Sequence, residues 1–146
     1  INDARKAAMA DKVIKACDGD VAGKTVAVLG LTFKPNTDDM RDAPSLTIIP
    51  HLQDRGAIIR AFDPESMTEA AKSLENVTYA SDAYDCARGA DAAVLITEWD
   101  QFRALDLNRI KSALQTPTLI DLRNIYKPDD MKRLGFDYHS VGRSAS

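Results

Sequence analysis

Four apolar, largely β-branched runs, each followed by a segment of helical period, constrain this chain more than any other feature. They are residues 24–31 (KTVAVLGL), 57–62 (AIIRAF), 92–97 (AAVLIT) and 118–122 (TLIDL). The runs are nearly continuous rather than alternating, as expected of strands covered on both faces in a parallel sheet. Weaker runs at 77–80 and 136–141 are candidate short strands. Between the runs, residues 45–54, 63–74, 82–88, 99–102, 107–114 and 128–134 read as helices, with Pro128 suited to a first turn. In 45–54, Leu46, Ile49 and Leu52 are expected to face inward, and Pro50 to kink the helix unless it ends nearby. Ahead of the first strand, Ala7, Ala10, Val13, Ile14 and Cys17 mark one face of an amphipathic helix that Asp18, Gly19 and Asp20 stop. Strands alternating with helices over short links imply βαβ units, and right-handed crossovers place helices on both faces. The expected fold is α/β: a doubly wound open parallel sheet preceded by the end of a helix.

At 146 residues the chain suits one domain and can bury a core without staples. Its net charge of −3 and the lack of a basic stripe argue against nucleic acid as the main partner. No apolar run approaches the ~18 residues that span a bilayer, so no membrane partner is expected. Cys17 and Cys86 lack metal-ligand spacing and are expected to be reduced thiols of an intracellular, cytoplasmic protein. No metal site is suggested.

In open α/β sheets ligands bind beyond the carboxyl ends of the strands. The first strand runs into GLTFKPNTDDMRDAPS, which carries Phe33, Lys34, Asp38, Asp39 and Arg41 but only one glycine of a dinucleotide-binding turn. Asp63 follows the second strand. Thr97, Glu98 and Trp99 follow the AAVLIT strand, and Asp121, Arg123 and Asn124 come with TLIDL. Lys34 and Arg123 are expected on one edge, where a compact ammonium and a planar guanidinium suit a diphosphate. Pairing of these cations with Asp38, Asp39 or Asp121 is the competing reading. Asp63 is expected to cap a helix rather than hold a ribose, and Trp99 to pack beneath a loop. His51 and His139 read as structural, and no nucleophile has a base at catalytic spacing, so no catalytic residue is expected in this chain.

The segment VAVLGLTFKPNTDDMRDAPS, with FDP at 62–64, ITEWDQF at 96–102 and DLRN at 121–124, resembles the C-terminal domain of the UDP-glucose/GDP-mannose dehydrogenase family over residues 2 to about 143. The resemblance implies a Rossmann-like domain and an NAD-dependent two-step oxidation of a sugar alcohol to a carboxylate. It divides the chain into the tail of a central dimerisation helix (1–20), a UDP-sugar-binding domain (21–143) and a disordered tail (144–146). It implies that Phe33, Lys34 and Arg123 bind the sugar nucleotide and that Arg41 reaches NAD. NAD itself would be held mainly by an N-terminal domain ahead of this chain, where the catalytic cysteine also lies. UDP-glucose is the expected ligand, in a homodimeric full-length enzyme. GDP-mannose, a UDP-N-acetylhexosamine, or a stand-alone nucleotide-binding module are the alternatives.

Overall fold

A computed structural model describes residues 3–142. The six strands are β1 (Thr25–Leu29), β2 (Ile58–Phe62), β3 (Val77–Tyr79), β4 (Ala92–Leu95), β5 (Thr118–Asp121) and β6 (Asp137–Ser140). They form one sheet in the order β3-β2-β1-β4-β5-β6, parallel throughout. This is the strand order of the doubly wound dinucleotide-binding fold, whose direction of growth reverses between β1 and β4. The expected α/β architecture is present, including both short strands.

Among the described residues, seven helices connect and cover the sheet: α1 (Asp3–Ala16), α2 (Ser45–Asp54), α3 (Met67–Ala71), α4 (Ala83–Ala87), α5 (Asp100–Arg103), α6 (Leu107–Ala113) and α7 (Pro128–Leu134). Continuity of the apolar runs has a direct cause: the side chains of β1 divide between two cores. Val26 and Val28 face a core with Val13, Ile48, Ile49 and Leu52 from α1 and α2. Ala27 and Leu29 face the other, with Cys86, Phe102, Ile110 and Met131 from α4 to α7. Each fully buried aliphatic side chain contributes about 1.5–3 kcal/mol relative to its exposed state.

α2 differs from its expected form in two respects. Ile48 rather than Leu46 completes the buried stripe with Ile49 and Leu52, and Leu46 is half-buried at the rim. The helix also runs through Pro50 to Asp54. The proline removes only the bond to the carbonyl of Leu46 in the first turn, and burial of the stripe outweighs that loss.

α1 belongs to the same core as the sheet, with Ala10 and Val13 fully buried. It ends where expected: the Gly19 amide, at φ 84, donates 2.9 Å to the Ile14 carbonyl. Near its middle, Asp11 lies 3.3 Å from His51 of α2. Beyond both C-termini, Gly23 donates to Gly56 at 2.9 Å. The two helices therefore run side by side in the same direction, and the first turn of α1 lies towards the carboxyl edge of the sheet. Pro128 opens α7 and Gly135, left-handed at φ 91, closes it. The tail assigned to 144–146 lies outside the described residues.

Candidate functional site at the carboxyl edge of the sheet

The exits of β1 and β4 flank the point where strand order reverses. The chain turns at Gly30, with φ 89. A Cβ there would meet the Thr97 Cβ at 2.6 Å and its backbone nitrogen at 2.8 Å, so only glycine lets the two exits approach. The Thr97 hydroxyl then donates to the Thr32 carbonyl, and the Ser45 hydroxyl donates to the Leu31 carbonyl at 2.6 Å.

Asp63 is fully buried and completely engaged. One oxygen accepts the Leu31 amide at 2.8 Å, and the other accepts the Glu65 and Ser66 amides at 2.9 Å each. It caps the turn that leads into α3, as expected, although the helix itself begins at Met67. The same carboxylate takes the first amide after Gly30. In a dinucleotide-binding turn such amides face a pyrophosphate and the acid at this strand end holds a ribose. Both groups are committed here, and α2 starts only at Ser45. The turn therefore does not fit NAD in the manner of that fold.

The intervening loop projects instead. Phe33 is 39% exposed, one of two exposed large apolar side chains among the described residues, and Lys34 beside it is exposed as well. The Lys34 ammonium has no ion-pair partner among the described residues. Further along, Asp39 grips Arg41: the Arg41 Nε lies 3.0 Å from both carboxylate oxygens and its Nη2 lies 2.7 Å from Oδ2. The guanidinium beside it holds the Asp39 carboxyl down at about 2, with Lys34 adding a smaller pull. Arg41 nevertheless remains 88% exposed. A shallow groove beside it is lined by Met40, Leu46, Glu69 and Ser73, so it lies towards α3. Of the two aspartates expected to hold cations, Asp39 does so; Asp38 is exposed.

After β5, the fully buried Asp121 organises the loop. Oδ1 accepts the Arg123 amide at 3.0 Å. Oδ2 accepts the Ile125 and Tyr126 amides at 2.9 and 3.0 Å and the Tyr138 hydroxyl at 2.7 Å. Asp121 thus fixes the backbone of Arg123 and leaves its side chain free to reach elsewhere. That side chain leans over β4, where Nη2 meets Oε2 of Glu98 at 2.9 Å. The partner is Glu98, not one of the three aspartates considered from sequence. Phe33 and Lys34 thus lie on the β1 loop, where Lys34 acts on the same Asp39 carboxyl that grips Arg41, and Arg123 lies on the β5 loop against Glu98.

Other candidates resolve as packing. Trp99 is 7% exposed and lies in the second core. His139, paired with Ile120 in the sheet, lies 3.0 Å from Asp137 two residues earlier on the same strand. Both thiols are free and buried, and burial pushes Cys86 up to about 12, which removes its thiolate at neutral pH. Among the described residues no cluster of His, Cys, Asp and Glu is placed to hold a metal ion, and no helix is long and apolar enough to cross a membrane. Sequence reasoning missed the organising carboxylates Glu98 and Asp121 as site residues, though each sits at a strand end. It also missed Lys6, 8% exposed on the core stripe of α1 one turn before Ala10.

Strand order and the cationic, aromatic strand exits define a Rossmann-like α/β domain whose edge suits an anionic ligand. The description of the UDP binding domain of the UDP-glucose/GDP-mannose dehydrogenase family matches residues 27–128, and the chain belongs to that family. It is 54% identical over 143 residues to a UDP-glucose 6-dehydrogenase of Rhizobium meliloti, covering 98% of this chain and 33% of that protein. It is 41% identical to the UDP-glucose 6-dehydrogenase TuaD of Bacillus subtilis, covering 99% of this chain and 31% of that protein. The chain thus spans about a third of the length of these curated relatives. Among solved structures, an NDP-N-acetyl-D-galactosaminuronic acid dehydrogenase from Methanosarcina mazei superposes with TM-score 0.85 at 27% identity, over 98% of this chain and 30% of that one. A UDP-glucose dehydrogenase from Pyrobaculum islandicum gives TM-score 0.76 at 26% identity, over 96% and 30%.

Proposed function

We propose that this chain is the sugar-nucleotide-binding domain of an NAD-dependent UDP-glucose 6-dehydrogenase. The observation that carries the reading is the arrangement at the switch point. Phe33 and Lys34, the latter without an ion pair among the described residues, emerge from β1, and Arg123, held at one end only, emerges from β5 on the same carboxyl edge. The ammonium and the guanidinium supply charge for a diphosphate, and the exposed ring offers a face for the sugar or base. The 54% identity to the Rhizobium meliloti protein supports glucose as the sugar.

In the full-length enzyme, this domain binds and orients the substrate at the edge of a homodimer's active-site cleft. NAD accepts hydride there; the closed turn at Gly30 makes this domain a poor primary NAD site, and Arg41 reaches the cofactor from a distance. Neither thiol is exposed as a nucleophile: Cys17 and Cys86 are both buried, and Cys86 donates 3.7 Å to the Val28 carbonyl. The sugar alcohol is oxidised elsewhere, and the domain's task is to fix the diphosphate. A second reading keeps the reaction class and changes the sugar to an N-acetylated hexose, favoured by the structural likeness to the Methanosarcina mazei enzyme.

The test is an amide NMR titration of this chain with UDP-glucose, with GDP-mannose and a UDP-N-acetylhexosamine as competitors. Shifts confined to 30–41 and 121–124, selective for UDP-glucose and lost in Lys34→Ala and Arg123→Ala, are expected. Equal shifts in both variants and the parent chain would overturn the assignment.

A further inference from the structure

We infer that Glu98 is a positioning residue that holds the Arg123 guanidinium over the switch point by one end and leaves its other donors for a diphosphate; this rests on the sugar-nucleotide reading of the site. Glu98 leaves β4 immediately after Thr97, whose contact with Gly30 fixes the exit of β1. It is therefore anchored at the junction where both strand exits meet. Arg123 arrives from the neighbouring strand with its backbone tied to Asp121. Its side chain is 30% exposed and that of Glu98 27%, so the pair lies at the rim, where a ligand can reach the arginine.

The contact is single-ended. Only Nη2 of Arg123 meets Oε2 of Glu98, at 2.9 Å. A guanidinium carries five N–H donors in a rigid fork, and a carboxylate ordinarily takes two of them side by side. Here Nε and Nη1 make no hydrogen bond among the described residues. On the other partner, Oε1 of Glu98 is buried without a donor, which is costly for a carboxylate oxygen. A pair built only for stability would close both ends, as Asp39 and Arg41 do. This pair instead withholds one oxygen from the arginine and from solvent, so one edge of the fork stays open. Glu98 thus fixes the direction of the fork and pre-orders it for an anion, and the anion supplies the missing acceptors.

Charge and geometry predict opposite effects for two substitutions. Glu98→Ala removes the anchor, so Arg123 swings freely and must be ordered on binding. Glu98→Gln keeps an acceptor oxygen at the same place and removes a negative charge that repels the diphosphate. The first readout needs no ligand: NMR of the Arg123 Nε–H group reports guanidinium order. Order in the parent chain and in Glu98→Gln, with averaging in Glu98→Ala, is expected. Order unchanged in Glu98→Ala, with the fold intact by amide spectra, overturns the inference.

The second readout is the affinity for UDP and UDP-glucose in the four chains of a double-mutant cycle: parent, Glu98→Ala, Arg123→Ala and both. Glu98→Ala is expected to weaken binding about tenfold, Glu98→Gln to bind at least as tightly as the parent, and Glu98→Ala to have no further effect once Arg123 is gone. An equal loss in the presence and absence of Arg123 means that Glu98 acts through the fold and sinks the proposal. If Arg123→Ala binds as the parent does, or the parent binds neither nucleotide, the sugar-nucleotide reading of this edge fails instead, and the positioning claim is decided by guanidinium order alone.

Discussion

Gly30 shows how little room a single residue has in this site. Its φ of 89 and its 2.6 Å approach to Thr97 are two separate demands that only a missing side chain satisfies. Gly30→Ala is expected to cost about 3 kcal/mol, combining backbone strain with overpacking against another strand exit. Trp99 is the single tryptophan and is buried, so its emission in a urea titration reports the loss. An unchanged midpoint would contradict the geometry. Asp39 offers a residue-level test by pH. Its folded carboxyl is held at about 2, below the ordinary 3.8, so the unfolded chain binds the proton first. The pairing with Arg41 is then fully in place above about pH 4 and is lost as pH falls through about 2. Carboxyl-carbon NMR should give a midpoint near 2 for Asp39, moving back towards 3.8 in Arg41→Ala.

At the scale of elements, the strand exits are held by carboxylates that turn inward. Asp63 ties β1 to the start of α3, and Asp121 ties the β5 loop to Tyr138 of β6. Each is fully buried and takes backbone donors rather than a cation. Asp121→Ala would remove the carboxylate acceptor of three loop amides and of the Tyr138 hydroxyl, which also donates to the Tyr126 carbonyl. A loss of about 3 kcal/mol or more is expected, together with loss of nucleotide-induced shifts at Arg123, both read by denaturation and NMR titration. α1 carries the opposite kind of anomaly. Lys6 continues the stripe of Ala10, Val13 and Cys17 into the core and has no ion pair among the described residues. A lysine so nearly covered keeps its charge at a cost unless the ammonium finds water or a partner. Lys6→Met keeps the packing and removes the charge, so the melting temperature is expected to rise, by about 1 kcal/mol of stability. A lower melting temperature would show that the ammonium has a stabilising role.

For the whole molecule, the topology separates two tasks. Strand order reverses between β1 and β4, and the segments after β4 and β5 bring Glu98 and Arg123 together at the carboxyl edge, the edge from which the β1 loop with Lys34 also leaves. Both cysteines are buried free thiols, and the first amide after Gly30 is taken by Asp63. Purified alone with NAD and UDP-glucose, the chain is therefore expected to produce no NADH absorbance at 340 nm beyond that of a blank. Turnover that survives removal of contaminants would show that this domain holds a reaction centre of its own.

The apolar runs were enough to determine the parallel α/β fold, because a strand covered on both faces must be apolar on both. The helix end at Gly19 and the helix start at Pro128 were equally legible, since backbone geometry restricts them locally. Phe33, Lys34, Arg41 and Arg123 were nameable through a resemblance carried by short motifs, and the fold class led to the expectation that Lys34 and Arg123 share an edge. What each cation pairs with was not legible. Arg123 could have met Asp38, Asp39 or Asp121, each close to a site cation in sequence; the sheet order instead sets Glu98, three residues past the end of β4, beside it. Likewise Asp63 reads as a cap from FDP alone, but its bond to the Leu31 amide exists only because β1 and β2 are neighbours. Local sequence decides where chain segments turn and which faces are apolar; only the packed sheet decides which charges meet, because those meetings join residues far apart in the chain.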